Sequence, residues 1–329
     1  MTVAPPAGSP PRFRPLPRPL DADGEPRRTG VEIEFAGLTE RQAADLARAE
    51  FGGRVQSAKA HGITLADTEI GEVEIVLDTA LRKLGDNALL SAGLDAIRGL
   101  VPVEIVTEPL DLDQLARLDA FRDTLREAGA LGTDEGVFLG FGVHLNVAVV
   151  APEDRFTGAT ILAYGLMEDW LRRRGPLDLT RRVMPFVDPW PRRFLDALVA
   201  AGPAAGFGEV RSLYARYCNS RNHALDLLPI YKHADPTSFD RLFPGQTNTK
   251  GRPAFHFRLP DCRIDEPDWS LAGEWMRWWL VEALADRHDL LSALAADFQV
   301  RRTPLFEDRE TWAEAVSARI GPNGEELSA

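Results

Sequence analysis

The feature that most constrains this chain is a recurring two-faced strand pattern. In Gly30-Val31-Glu32-Ile33-Glu34-Phe35, Val31, Ile33 and Phe35 alternate with Glu32 and Glu34. Side chains alternate faces along a strand, so one face is apolar and the other holds two carboxylates. The pattern returns in Glu72–Asp78, where Val73, Ile75 and Leu77 oppose Glu72, Glu74 and Asp78. It returns in 101–106, where Glu104 opposes Val103 and Ile105, and in 140–147, where His144 and Asn146 oppose Val143, Leu145 and Val147. The last instance is 253–260, with His256 and Arg258 opposed to Phe255 and Phe257. Buried parallel strands are apolar on both faces. This alternation predicts an α+β fold: a curved, mainly antiparallel sheet with helices on one face and a polar cleft on the other.

The segments between the strands supply the helices. Thr39 is placed to cap a helix over 40–51, closed by Gly52-Gly53. Short strands fit 54–59 and 62–66. Helices are expected near 84–98, 113–129, 157–174, 191–201, 269–285 and 286–298, with a loop over 233–252. The Trp275, Trp278 and Trp279 stripe reads as core rather than a binding platform. Residues 1–29 hold Pro5, Pro6, Pro10, Pro11, Pro15, Pro17, Pro19 and Pro26 with Arg12, Arg14 and Arg18 interleaved. They read as a Pro-rich flexible tail or, alternatively, as a strap over the fold or a partner.

Charge and motif content narrow the function classes. The chain has 329 residues, 38 basic against 50 acidic, for a net charge of −12. A general nucleic-acid or anionic-membrane surface needs the opposite balance. Only Cys218 and Cys262 are present, so no disulfide framework is implied and a cytoplasmic location is expected. No apolar run is long enough for a membrane span, and the N-terminus lacks a signal-peptide layout. The chain has no G-x-x-x-x-G-K-[ST] loop, no strand–G-x-G-x-x-G–helix unit and no G-x-S-x-G elbow.

Taken singly, these polar residues have plain readings. His144 alone fits a structural histidine, Arg258 a surface arginine, Asn219, Arg221 and Asn222 turn and cap residues, and Cys218 a small buried hydrophobe. Recurrence on one face favours a shared cleft. Several carboxylates plus histidine suit Mg²⁺ or Mn²⁺. Arginines beside such a metal suit phosphate oxygens. That mixture is the equipment of nucleotide-dependent phosphoryl transfer.

The same residues resemble the amidoligase family of the carboxylate–amine ligase superfamily. Gly30–Phe35 is similar to its "GvEiEf" start, Val73–Leu81 to a strand ending "D-x-S-L", and Val103–Leu110 to "vElvspPL". Gly142–Val147 is similar to "G-x-H-V-H-v", residues 221–229 to "R-y-x-x-L-N", and Phe255–Leu259 to "iEfR". The chain departs where Asn146 replaces a histidine, His256 a glutamate, and Asp226 stands near an expected asparagine. These departures bear on metal number, specificity and turnover.

The resemblance implies a glutamine synthetase-like catalytic fold, shared with γ-glutamylcysteine synthetase. It places a single catalytic domain over 30–310, with a helical insert near 151–210, C-terminal helices over 269–300 and a terminal helix or tail over 311–329. It implies an enzyme that uses ATP and Mg²⁺ (or Mn²⁺) to turn a carboxylate of an amino acid or small peptide into an acyl phosphate. An amine then attacks to form an amide or isopeptide bond. Glu32, Glu34, Glu104, His144 and His256 become the expected metal ligands. Arg258 and Arg221 become phosphate contacts, and Asp78 and Asn146 orient the amine or the ligands. The partners are small-molecule or peptide substrates, with no nucleic acid or membrane and with a homo-oligomer open. A guanidino-kinase-like phosphotransferase and a degenerate nucleotide-binding scaffold are the alternatives.

Overall fold

The computed structural model describes residues 13–59, 62–77, 102–133, 140–175, 181, 187–246, 248–301 and 308–328. Its centre is an eight-stranded antiparallel sheet in the order β2-β3-β4-β5-β1-β6-β8-β7. The strands are β1 (Thr29–Phe35), β2 (Arg54–Lys59), β3 (Gly62–Thr68), β4 (Gly71–Leu77), β5 (Val103–Thr107), β6 (Val143–Val147), β7 (Leu225–Asp226) and β8 (His256–Phe257). The strand that opens the sequence pattern therefore sits inside the sheet, with β5 on one side and β6 on the other.

Residues directly opposite in an antiparallel ladder share a face. Ile75, Ile105, Ile33 and Val143 are in register across four strands and are all buried. Val31, Leu145, Phe257 and Leu225 form the next apolar row. This face is covered by helices. Helix α1 (Glu40–Phe51) packs on β3 and β4. Helix α2 (Leu112–Glu127) joins it through the Phe51–Phe121 ring pair. Over β8, α3 (Arg155–Arg174) brings Tyr164 to Phe257, and the helix Leu271–Asp286 brings Trp278 to Phe255 and Phe257. Trp275, Trp278 and Trp279 are buried, as the stripe predicts.

Local chemistry sets the boundaries. Thr39 and Gln42 form a reciprocal capping box at α1, and Asp111 with Gln114 forms one at α2. Helices α4 (Arg192–Ala201) and α5 (Phe207–Tyr217) follow α3. The expected loop over 233–252 is a correction. It holds the end of α6 (Leu228–Ala234) and all of α7 (Pro236–Leu242). Pro236 looks like a breaker, but at the first helical position its missing N–H is no loss, and Asp235 caps the turn through the Ser238 N–H at 3.0 Å. The strand expected over 253–260 is also shorter: only His256 and Phe257 pair as a strand, flanked by isolated bridges at Ala254 and Asp261. After α8 (Leu271–Asp286) come α9 (His288–Arg301), α10 (Arg309–Ile320) and α11 (Glu325–Ser328). The helix expected near 84–98 lies outside the described residues, as does Asp78.

Residues 13–29 form the strap of the second reading. Trp275 and Trp279 donate to the Arg14 and Pro15 carbonyls, and the Arg14 guanidinium lies 4.0 Å over the Trp279 ring. Arg27 reaches Glu282 of α8 with two hydrogen bonds, 2.9 and 2.6 Å, and both side chains are fully buried. Trp278 Nε1 donates to the same carboxylate at 2.9 Å. Cys218 and Cys262 are both buried and free. No helix among the described residues is long and apolar enough to cross a membrane.

Candidate metal centre

The polar face of the sheet gathers its groups by register. Glu34 of β1 stands opposite Glu104 of β5, and Glu32 stands opposite His144 of β6. On the far side of β6, His256 of β8 stands opposite Asp226 of β7. The register thus sets two carboxylates face to face across the β1–β5 ladder. The five expected ligands fall into two groups that share His144. Oxygen and nitrogen atoms of Glu34, Glu104 and His144 lie within 4.8 Å of one another, and so do those of Glu32, His144 and His256.

Glu32 is the electrostatic pivot. His144 Nδ1 lies 2.6 Å from its Oε2, and Asn146 Nδ2 donates to Oε1 at 2.9 Å. His256 Nε2 is 3.7 Å from Oε2, and an Arg252 guanidinium nitrogen is 3.7 Å from Oε1. Burial pushes the Glu32 carboxyl up, but the close His144 hydrogen bond works against it, and the net effect holds the carboxyl well below the usual carboxylate range. Burial pushes His144 the other way, below its ordinary value, despite the Glu32 and Glu34 charges that favour its protonation. The pair is therefore a carboxylate and a neutral imidazole.

That state assigns the tautomer. An ionised Glu32 accepts, so His144 Nδ1 carries the proton and donates, leaving Nε2 with the lone pair. Nε2 faces Glu34, whose Oε1 is 3.8 Å away. The other Glu34 oxygen accepts the Gly142 N–H at 2.8 Å, which fixes the carboxylate. A neutral imidazole has one lone pair to give, so for a bound cation His144 would serve the Glu34–Glu104 set, with Glu32 orienting the ring. Carboxylates plus neutral imidazole suit a hard or borderline divalent cation. His256 supports the same fit: it is buried, and neither ring nitrogen has a hydrogen-bond partner among the described residues.

The arginines flank this cluster. Arg258 is buried, and one of its terminal nitrogens donates to the Arg221 carbonyl at 2.6 Å. Burial lowers the Arg258 pKa against the opposing pull of Asp226. The Arg221 side chain is partly exposed and leans on Asp226, Nε to Oδ2 at 3.6 Å. Two arginines were not singled out from the sequence. Arg252 reaches Glu32 from the chain just before β8, a segment read as loop. Arg181 lies inside the molecule, donating to the Arg258 carbonyl at 2.7 Å and the Pro260 carbonyl at 3.2 Å, with Nε 3.0 Å from Asp261. Neither has a periodic or motif signal. Gly142 is explained by Arg181: a Cβ there would strike the guanidinium and come within 3.2 Å of His144 Nε2.

An antiparallel α+β sheet with an acid–imidazole donor set at its middle defines the class of protein. The chain belongs to the family described as "Putative amidoligase enzyme", whose model matches residues 25–280. The matched span holds every strand of the sheet and the whole donor set, and it places the chain among ligase-type enzymes. A comparison with curated proteins found no match.

Proposed function

We propose that this chain is an ATP-dependent carboxylate–amine ligase with a glutamine synthetase-like fold. The observation that carries the reading is the Glu34–Glu104–His144 donor set, with Arg252, Arg221 and Arg258 on the neighbouring strands and turns. Glu34, Glu104 and His144 Nε2 would hold a Mg²⁺ or Mn²⁺ ion. Glu32 with His256 forms a second, thinner donor pair, suited to a cation that also takes phosphate oxygens and water. Such cations supply charge neutralisation where a carboxylate meets a triphosphate.

The protein's own groups do the rest. Arg258 and Arg221 bind phosphate oxygens, matching their planar forks to the anion. Asn146 holds Glu32, which holds the His144 ring in the tautomer that presents Nε2. Asp78 is assigned to orient the incoming amine. In the reaction, a substrate carboxylate oxygen attacks the γ-phosphorus of ATP and ADP leaves. The amine then attacks the acyl carbon, loses a proton and expels phosphate, giving the amide. Glu32, His144 and His256 are largely shielded from solvent, at 9%, 7% and 4% exposure, while Glu34 and Glu104 are half-buried. Excluding water protects an acyl phosphate from hydrolysis. The substrates are an amino acid or small peptide and an amine.

The test is a screen of carboxylate and amine pairs for ADP release with Mg²⁺ and ATP. Release that requires both substrates and yields an amide is the expected result. Glu34→Gln should cut it by about 100-fold or more, as a cation ligand is lost. A stable phosphorylated product with no amide, or full activity in Glu34→Gln, would overturn the reading.

A further inference from the structure

Asp226 is the most deeply buried carboxylate beside the donor set and has no part in the mechanism above. Its exposure is 0%. Its Oδ1 accepts the Leu228 N–H at 2.9 Å, which pins the carboxylate in the β7–α6 turn. Its Oδ2 has no hydrogen-bond partner among the described residues and lies 3.7 Å from His256 Nδ1. The two residues are in direct register across β7 and β8. Glu32 Oε2 lies 3.7 Å from the other ring nitrogen, Nε2. Among the described residues, Asp226 and Glu32 are the carboxylates within 4.0 Å of this ring. His256 is thus held between two carboxylates, one pinned to a turn and one facing the metal centre.

We propose that Asp226 is a positioning residue: it keeps a proton on His256 Nδ1 and so turns Nε2 toward Glu32 as the coordinating nitrogen. The gap of 3.7 Å is longer than a hydrogen bond, so Asp226 acts on the ring through its charge. The logic is that of a carboxylate fixing the ring of a metal-ligating histidine from behind. Asp226 suits the task because Oδ1 is already committed and Oδ2 has no other hydrogen bond to satisfy it. Arg221 Nε, 3.6 Å from the same Oδ2, adds positive charge that favours the ionised carboxylate. The metal half of this inference rests on the proposed function; the proton on Nδ1 does not.

Two measurements test it, and they fail separately. The first is ¹⁵N NMR of imidazole-labelled protein without metal, with His256 assigned by comparison with His256→Gln. Nδ1 should be protonated in the native protein. In Asp226→Asn the tautomer protonated on Nε2 should gain population. A proton on Nε2 in the native protein at neutral pH, with Nδ1 either bare or also protonated, would overturn the proposal, whether or not any variant folds. The second is Mn²⁺ binding by electron paramagnetic resonance in the presence of a non-hydrolysable ATP analogue. Asp226→Asn should weaken binding about 10- to 100-fold, and the same change in a His256→Ala background should alter it less than about twofold. Equal losses in both backgrounds would make Asp226 a merely structural residue. If native protein bound no Mn²⁺ at all, the ligase reading would fall, and the NMR result would still decide the Asp226–His256 pair.

Discussion

At the residue scale, the proposed cation site depends on one imidazole being neutral. Burial drives His144 below its ordinary value of about 6.5. Cation binding needs the unprotonated ring, so affinity should hold as pH falls to 6.5 and decline only below it. The stability of the cation-free protein follows the same sign. An unfolded His144 takes up a proton near 6.5, whereas the folded one resists until lower pH, so stability falls over that interval on acidification. Glu32 adds to this, because its depressed carboxyl contributes stability above about 4.5 that is lost as pH drops through its folded value. Thermal unfolding against pH checks this: His144→Gln should flatten the slope just below pH 6.5, and an unchanged slope would contradict it. Gly142 gives a second residue-scale prediction. Gly142→Ala should displace Arg181 and crowd His144 Nε2, lowering Mn²⁺ affinity and turnover by about tenfold or more. Isothermal titration and circular dichroism on the variant separate a lost site from a lost fold.

Among the elements, the strap and the sheet teach different lessons. The Arg27–Glu282 pair fastens residues 13–29 to α8 with both charges fully buried. Removing one partner leaves the other uncompensated, so Arg27→Ala or Glu282→Ala should cost about 3–5 kcal/mol in urea unfolding. An Arg27→Met/Glu282→Leu double variant should recover much of that loss; single variants within about 0.5 kcal/mol of native would refute the role. The sheet was legible because alternation has a period of two that survives in any context. Val31, Ile33 and Phe35 against Glu32 and Glu34 fix both the strand and its faces. The strap was only half legible, since its prolines exclude helix and ladder but say nothing about Trp275 and Trp279 waiting for their carbonyls. Helix α7 was missed because Pro236 was weighed as a breaker without its cap, Asp235. Convergence of Glu34, Glu104 and His144 was foreseen as a shared face, but the register that sets Glu34 against Glu104 is a tertiary fact.

For the whole molecule, the net charge of −12 makes the cluster more dependent on local compensation. Glu32, Glu34 and Glu104 add charge of the same sign as the protein's own field, and Arg181, Arg221, Arg252 and Arg258 are the local counterweight. Arg252 and Arg181 reach the site from chain segments distant from β1 and bear no motif, so this counterweight was visible only in part beforehand. On the proposed reading, this concentration of arginines at one acidic face brings cations and anions together there. The most direct test is a crystal soaked with Mn²⁺ and a non-hydrolysable ATP analogue, read by anomalous scattering. The account predicts a peak bonded to Glu34, Glu104 and His144 Nε2 at about 2.0–2.3 Å, with the triphosphate turned toward Arg221 and Arg258. Full nucleotide occupancy with no peak at those three residues would contradict it.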